Sequence, residues 1–175
     1  ALGAEQRGLV GLVAQLDNVR SGYCSGTLVG DRLVLTAAHC AATPRGPVRH
    51  AVFATDIFGA SREVIAVASF VRHRTADIAL VRLVSDAPRR YARLPVATIR
   101  RVHTGRVEIA GFGRREPSQP SSGGIASRLD VFATFAAPGS PIATVTSSGS
   151  GACAGDSGGP LFLGTPARRL VLGVL

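Results

Sequence analysis

The segment Gly155-Asp156-Ser157-Gly158-Gly159-Pro160 is where side chains able to do chemistry are most concentrated. Its glycines tolerate positive φ and let backbone approach a substrate closely, while Pro160 leads into a following strand. A hydroxyl in such a turn can face solvent with amide hydrogens converging beside it, as stabilisation of a developing oxyanion requires. Alone, the segment reads more readily as an ordinary glycine-rich turn. Two other segments change its weight. In Leu35-Thr36-Ala37-Ala38-His39-Cys40 a histidine stands among residues too small to block its ring, directly before a cysteine. In Ala76-Asp77-Ile78-Ala79-Leu80 a carboxylate opens an apolar strand, where burial is costly without a hydrogen-bonded partner. A serine hydroxyl is a weak nucleophile near neutral pH, so it needs a base, and the base needs a third group to orient it. Asp56 competes for that third role but lacks the apolar strand that follows Asp77. His50, His73 and His103 have no comparable surroundings and read as surface histidines.

The three cysteines, Cys24, Cys40 and Cys153, form no C-x-x-C pair, so neither a zinc site nor a thioredoxin-like site is indicated. Cys24 and Cys40 flank a hairpin, which favours a disulfide and a secreted or periplasmic home.

The elements that must position these groups are strands. Apolar residues rarely recur at helical spacing, whereas short runs rich in Val, Ile, Leu and Phe are bounded by Gly, Pro, Ser and Asp. Strands are expected at Leu9 to Leu16, Gly26 to Val29, Arg32 to Thr36, Ala51 to Ala54, Glu63 to Val71 and Ile78 to Val84. Further strands are expected at Arg106 to Phe112, Ala126 to Thr134, Pro160 to Leu163 and Arg169 to Val174. Gly30-Asp31 is a two-residue turn signal that makes Gly26 to Thr36 a hairpin. Ala37 to Ala42 suits one short helical turn. Ser85 to Pro95, with its Asp, Pro and Arg, reads as a linker between halves 1–84 and 96–175. Glu116 to Gly124 and Ala136 to Gly151 read as loops, the second around one apolar stretch, Pro141 to Val145. Short strands in two similar halves fit closed antiparallel barrels better than one open sheet with long unpaired edges.

Composition removes other classes. With 175 residues, 46% hydrophobic and 18% charged, the chain can bury a core and is not intrinsically disordered. Its longest apolar runs, Leu9 to Ala14 and Leu170 to Leu175, fall far below the roughly 20 residues that cross a bilayer. The net charge of +9 comes entirely from arginine, for there is no lysine. A GC-rich genome produces that bias through codon usage, and with the compact loops it suggests a bacterial source. Arg89, Arg90 and Arg93, then Arg100 and Arg101, come nearest to clusters, and no aromatic residues alternate with them, so no nucleic-acid partner is expected.

Leu35 to Cys40, Asp77 to Leu80 and Gly155 to Pro160 resemble the three signature segments of chymotrypsin-like (trypsin-fold) serine proteases, in that family's chain order. Ser25-Gly26-Thr27-Leu28, Ala110-Gly111-Phe112-Gly113 and Leu172-Gly173-Val174 are weaker matches. The resemblance implies an all-β fold of two antiparallel six-stranded barrels and a serine endopeptidase acting through an acyl-enzyme. Ser157 would be the nucleophile, His39 the base and then acid, and Asp77 its buried orienting partner, with the amides of Gly155 and Ser157 as the oxyanion hole. Cys24 and Cys40 match the family's disulfide beside the histidine. Protein or peptide substrates and protein inhibitors are the implied partners, without metal or cofactor. The rival is a basic, non-enzymatic binding protein on the same scaffold.

Departures from the family's pattern set further expectations. Ala1-Leu2-Gly3-Ala4 stands where members usually begin Ile-Val-Gly-Gly, with an α-amino group paired to the Asp before the nucleophile, here Asp156. The substrate-binding position six before the serine, acidic in trypsins, is Gly151, followed by Ala152. Small or apolar side chains are therefore expected before the scissile bond. Cys153 lacks the partner that members carry in a later segment, so the second barrel is expected to be C-terminally incomplete, with an unfinished substrate pocket.

Overall fold

The computed structural model describes residues 3–16, 22–42, 46–97, 104–135, 142–165 and 168–175. Six strands form a closed antiparallel barrel: β1 (Leu9–Val13), β2 (Tyr23–Gly30), β3 (Leu33–Thr36), β4 (His50–Phe53), β5 (Glu63–Arg72) and β6 (Ala79–Leu83), in the order β1-β2-β3-β6-β5-β4. β1 closes the ring by pairing with β2 on one side and β4 on the other. These segments are rich in Val, Leu and Phe, which suit a pleated, half-buried surface. Leu9, Leu12, Leu28, Val34, Phe53 and Val81 reach full burial in the interior. The hairpin turn falls on Asp31-Arg32, one residue later than the Gly30-Asp31 signal, because Gly30 pairs with Leu33 after a register shift between Leu28 and Gly30.

The second half is a five-stranded antiparallel sheet: β7 (Thr104–Gly111), β8 (Ser127–Phe135), β9 (Ala143–Thr146), β10 (Pro160–Thr165) and β11 (Arg168–Val174), in the order β11-β10-β7-β8-β9. Among the described residues it does not close, with β9 at one end and β11, bridged at Val171 to Val96, at the other; it has five of the six strands that the resemblance implies for a full barrel, in keeping with the expected incomplete one. β9 lies in a stretch read as loop from sequence, and its Ala, Thr and Val residues pair with Phe132 to Phe135 of β8. Val107, Ile109, Val131, Ala133, Phe135 and Leu161 form this sheet's own apolar cluster.

Cross-links join the two sheets. The 3-10 turn Glu5–Arg7 before β1 sends the Arg7 guanidinium to Glu108 of β7, with Nε 2.8 Å from Oε1. Arg169 of β11 and Arg128 of β8 reach the same carboxylate at 3.3 and 3.1 Å. The carboxylate loses hydration, but the hydrogen bond and charge of Arg7, with the charges of Arg169 and Arg128, hold its pKa below the usual range. Ala1, Arg100, Arg101 and His103 lie outside the described residues.

Candidate active site

Strand register brings His39 and Asp77 together. β3 and β6 are antiparallel neighbours with Thr36 opposite Ala79, so the chain leaving β3 and the chain entering β6 meet at one end of the barrel. His39 stands in the 3-10 turn Ala38–Ala42, close to the expected short turn. Asp77 Oδ2 lies 2.6 Å from His39 Nδ1, and Asp77 Oδ1 accepts the His39 backbone N–H at 2.8 Å. A carboxylate only accepts, so Nδ1 carries the proton and Nε2 of a neutral ring is left with its lone pair. Partial desolvation opposes the Asp77 anion, but hydrogen bonds from the His39 ring and amide, and from Ala38, bring its pKa below the ordinary carboxylate value.

Asp77 is not buried as the resemblance implied: its side chain is 59% exposed and that of His39 52%. Residues 72–75 before it are themselves exposed and supply no cover. They are folded by a small local device. His73 Nδ1 accepts the amides of Ala76 at 3.0 Å and Thr75 at 3.3 Å, and the His73 amide donates to Ile78 O at 2.8 Å. His73 is on the surface as expected, but it also shapes the turn that carries Asp77.

Ser157 lies between β9 and β10 in a turn whose conformation requires glycine. Gly155 and Gly158 have φ of 100° and 79°, in the left-handed region that side chains resist. A Cβ on Gly158 would also stand 2.0 Å from Thr36 Oγ1. This contact sets the serine turn directly against the end of β3 that leads to His39. The Ser157 carbonyl accepts the Ser25 amide at 2.8 Å and lies 3.7 Å from Cys40 Sγ. The Cys24–Cys40 disulfide is formed, and it fixes the chain one residue beyond His39. Among the described residues no hydrogen bond joins Ser157 Oγ to the His39 ring. Such bonds are often long without substrate and tighten when it binds. The amides of Gly155 and Ser157 donate to no group among the described residues.

Asp156 points away from this surface. Its carboxylate accepts the amides of Gly113 at 2.7 Å and Cys153 at 2.9 Å, packed where a side chain on Gly111 or Gly113 would stand. Desolvation raises its pKa despite those two donors. It has no ion-pair partner among the described residues, and Ala1, whose α-amino group stands where the family's pairing group begins the chain, lies outside them. Gly151 and Ala152 are exposed, and among the described residues nothing lies within 4 Å of a Cβ built on Gly151. Cys153 is a free thiol. Sequence reading missed Ser25, which is fully buried beside the serine turn. Its position next to Cys24 in a matching segment was the only available signal.

The Trypsin family profile matches residues 4–175. The chain therefore belongs to the trypsin-like serine protease family, of which chymotrypsin-like enzymes are members. It is 35% identical over 111 residues to granzyme F of Mus musculus, covering 56% of this chain and 44% of that protein. With coagulation factor XII of Sus scrofa it shares 31% over 192 residues, 86% of this chain and 30% of that protein. Trypsin alpha of Drosophila melanogaster is 27% identical over 173 residues, covering 86% of this chain and 68% of that protein. The chain thus spans less than half the length of the first two relatives. Among solved structures, mouse neuropsin superposes with a TM-score of 0.72 at 25% identity, over 92% of this chain and 79% of that one. Human heparin binding protein gives 0.76 at 22% identity, over 99% and 81%. A disulfide and a trypsin-like scaffold suit an extracellular protein, and no helix among the described residues is long and apolar enough to cross a membrane.

Proposed function

We propose that this chain carries the catalytic centre of a secreted serine endopeptidase, with His39, Asp77 and Ser157 as its triad. The observation that carries the reading is the two-point hold of Asp77 on His39, through Nδ1 and through the backbone amide. That hold orients the ring and leaves Nε2 to take the Ser157 proton as Oγ attacks the scissile carbonyl. The tetrahedral intermediate collapses as His39 returns the proton to the leaving amine, giving acyl-Ser157 and the first product. Water, deprotonated by His39, then releases the second product and restores the hydroxyl. The unspent amides of Gly155 and Ser157 are the proposed oxyanion donors.

Protein or peptide chains are the substrates, and protein inhibitors that present such a chain are partners. Gly151 supplies no countercharge, which favours small or apolar side chains before the scissile bond, with Gly151 and Ala152 flanking that residue. Residues 1–84 and 96–175 are the two structural units, with 85–95 between them.

The test uses the natural protein that carries this chain. A fluorophosphonate should label Ser157, and Ser157→Ala should abolish labelling and cut kcat by about a millionfold. Undiminished turnover in that variant would refute the assignment of Ser157, and absence of both labelling and turnover in the wild type would favour the binding-protein reading. A peptide panel preferring Arg before the cleaved bond would refute the specificity.

A further inference from the structure

Ser25 touches the serine turn at two points. It lies on β2, in the first barrel, with 0% of its surface exposed. Its amide donates to Ser157 O at 2.8 Å. Its hydroxyl donates to Gly155 O at 2.8 Å and accepts the Phe112 amide at 3.0 Å. Its own carbonyl accepts the Thr36 hydroxyl at 2.8 Å. One residue of the first barrel is therefore bonded to both carbonyls that flank Asp156, to the segment after β7, and to the end of β3.

We propose that Ser25 is a positioning residue for the oxyanion donors, acting through its hydroxyl on the Gly155 carbonyl. The inference rests on the reading of Ser157 as the nucleophile. Gly155, at φ 100°, has no side chain to restrict it. Because the peptide unit is rigid, holding the Gly155 carbonyl fixes the plane of the Gly155–Asp156 peptide and with it the path from the Gly155 amide to the Ser157 amide. The backbone bond from Ser25 to Ser157 would be available to any residue at this position. The bond to Gly155 needs a side chain that both donates and accepts, because Phe112 brings a donor and Gly155 an acceptor. A hydroxyl one carbon from the backbone supplies both. Tyr23, two residues earlier on β2, packs its ring where a Cβ on Gly155 would stand, so the same strand also limits the turn sterically.

The test compares Ser25→Ala and Ser25→Gly, which lose the hydroxyl, with Ser25→Thr, which keeps it. In the natural protein, Ser25→Ala and Ser25→Gly should lower kcat and the rate of fluorophosphonate labelling of Ser157 by about tenfold to a hundredfold, with KM within about twofold. Ser25→Thr should recover most of the loss. Val52→Ala, a cavity variant elsewhere in the first barrel, controls for destabilisation and should leave kcat unchanged. Amide resonances of Gly155 to Gly158 should shift in Ser25→Ala and Ser25→Gly. Equal kcat in the wild type and Ser25→Gly, or unmoved resonances, would overturn the proposal. Absence of Ser157 labelling in the wild type would overturn the enzyme reading, while the resonance comparison would still decide the clamp. If Ser25→Ala does not fold, Ser25→Gly and Ser25→Thr carry the comparison.

Discussion

The first barrel and the second sheet are built from similar strands but differ in closure. In the barrel every strand has two neighbours, and Leu9, Leu12, Phe53, Ile57 and Val81 are inaccessible to water. Among the described residues the second sheet does not close: β9 pairs only with β8, β11 has only the bridge from Val171 to Val96 on its outer side, and Phe132 and Ile142 are 45% and 72% exposed. The proposed site is divided accordingly. His39 and Asp77 are set by register inside the closed unit, whereas Ser157 sits on a connection of the open one and is fastened by bonds that reach back to β2. Closure thus positions two of the groups intrinsically, and the third depends on contacts between halves.

The largest effect that tests this contrast compares two phenylalanines. Phe53→Ala, in the barrel interior, should cost about 3–5 kcal/mol, and Phe132→Ala, half exposed on β8, less than about 1 kcal/mol. Urea denaturation measures both. Equal losses would mean that the open sheet is as well covered as the closed one.

Next in size is the disulfide. Replacing Cys24 and Cys40 by serine releases a loop with a sequence separation of 16, which should cost about 3 kcal/mol. Because Cys40 follows His39 and touches the Ser157 carbonyl, fluorophosphonate labelling should fall as well. Lost stability with unchanged labelling would show that the barrel positions His39 without the cross-link.

His73 tests the edge of the Asp77 turn. Asn places an oxygen near the position of His Nδ1, so His73→Asn should retain both amide bonds and lower kcat less than about twofold, whereas His73→Leu should lower it by about tenfold. Steady-state assays decide, and equal kcat in both variants would remove His73 from the positioning of Asp77.

Much of the architecture was legible because a strand with one face in a barrel carries a local signature: short runs of Val, Leu and Phe ended by Gly, Pro or Asp. The strand from Ala143 to Thr146 was not, since its pairing with β8 is a backbone interaction that small and polar side chains neither require nor announce. The segments around His39, Asp77 and Ser157 marked them as candidates, and the hairpin made the Cys24–Cys40 pair legible. The exposure of Asp77 was not, because it depends on what folds over the turn at 72–75. Ser25 could not be told from other serines, since its burial and its bonds to Gly155, Ser157 and Phe112 arise between residues far apart in the chain.

The smallest expected effect is on the pH dependence of stability, where two carboxylates of the second half act in opposite senses. Burial opposes ionisation of both. Glu108 is nevertheless lowered by Arg7, Arg169 and Arg128, while Asp156, which among the described residues is met by two amides and no cation, is raised. A lowered folded pKa means that the Glu108 contribution is complete above the unfolded value of about 4.3 and is lost as pH falls through the folded one. A raised folded pKa means the reverse for Asp156: its contribution is complete below about 3.9 and is lost as pH rises through the folded value. Between about pH 3 and 6, Glu108→Gln should therefore flatten or reverse the rise of stability with pH. Asp156→Asn should steepen that rise. Urea midpoints across this range give the slopes, and their signs are independent of the absolute stability that each substitution costs. If Asp156→Asn instead flattens that rise, a cation pairs with Asp156 in solution and holds its carboxylate ionised beside the serine turn, while an unchanged slope would mean that the two amides fully offset its burial.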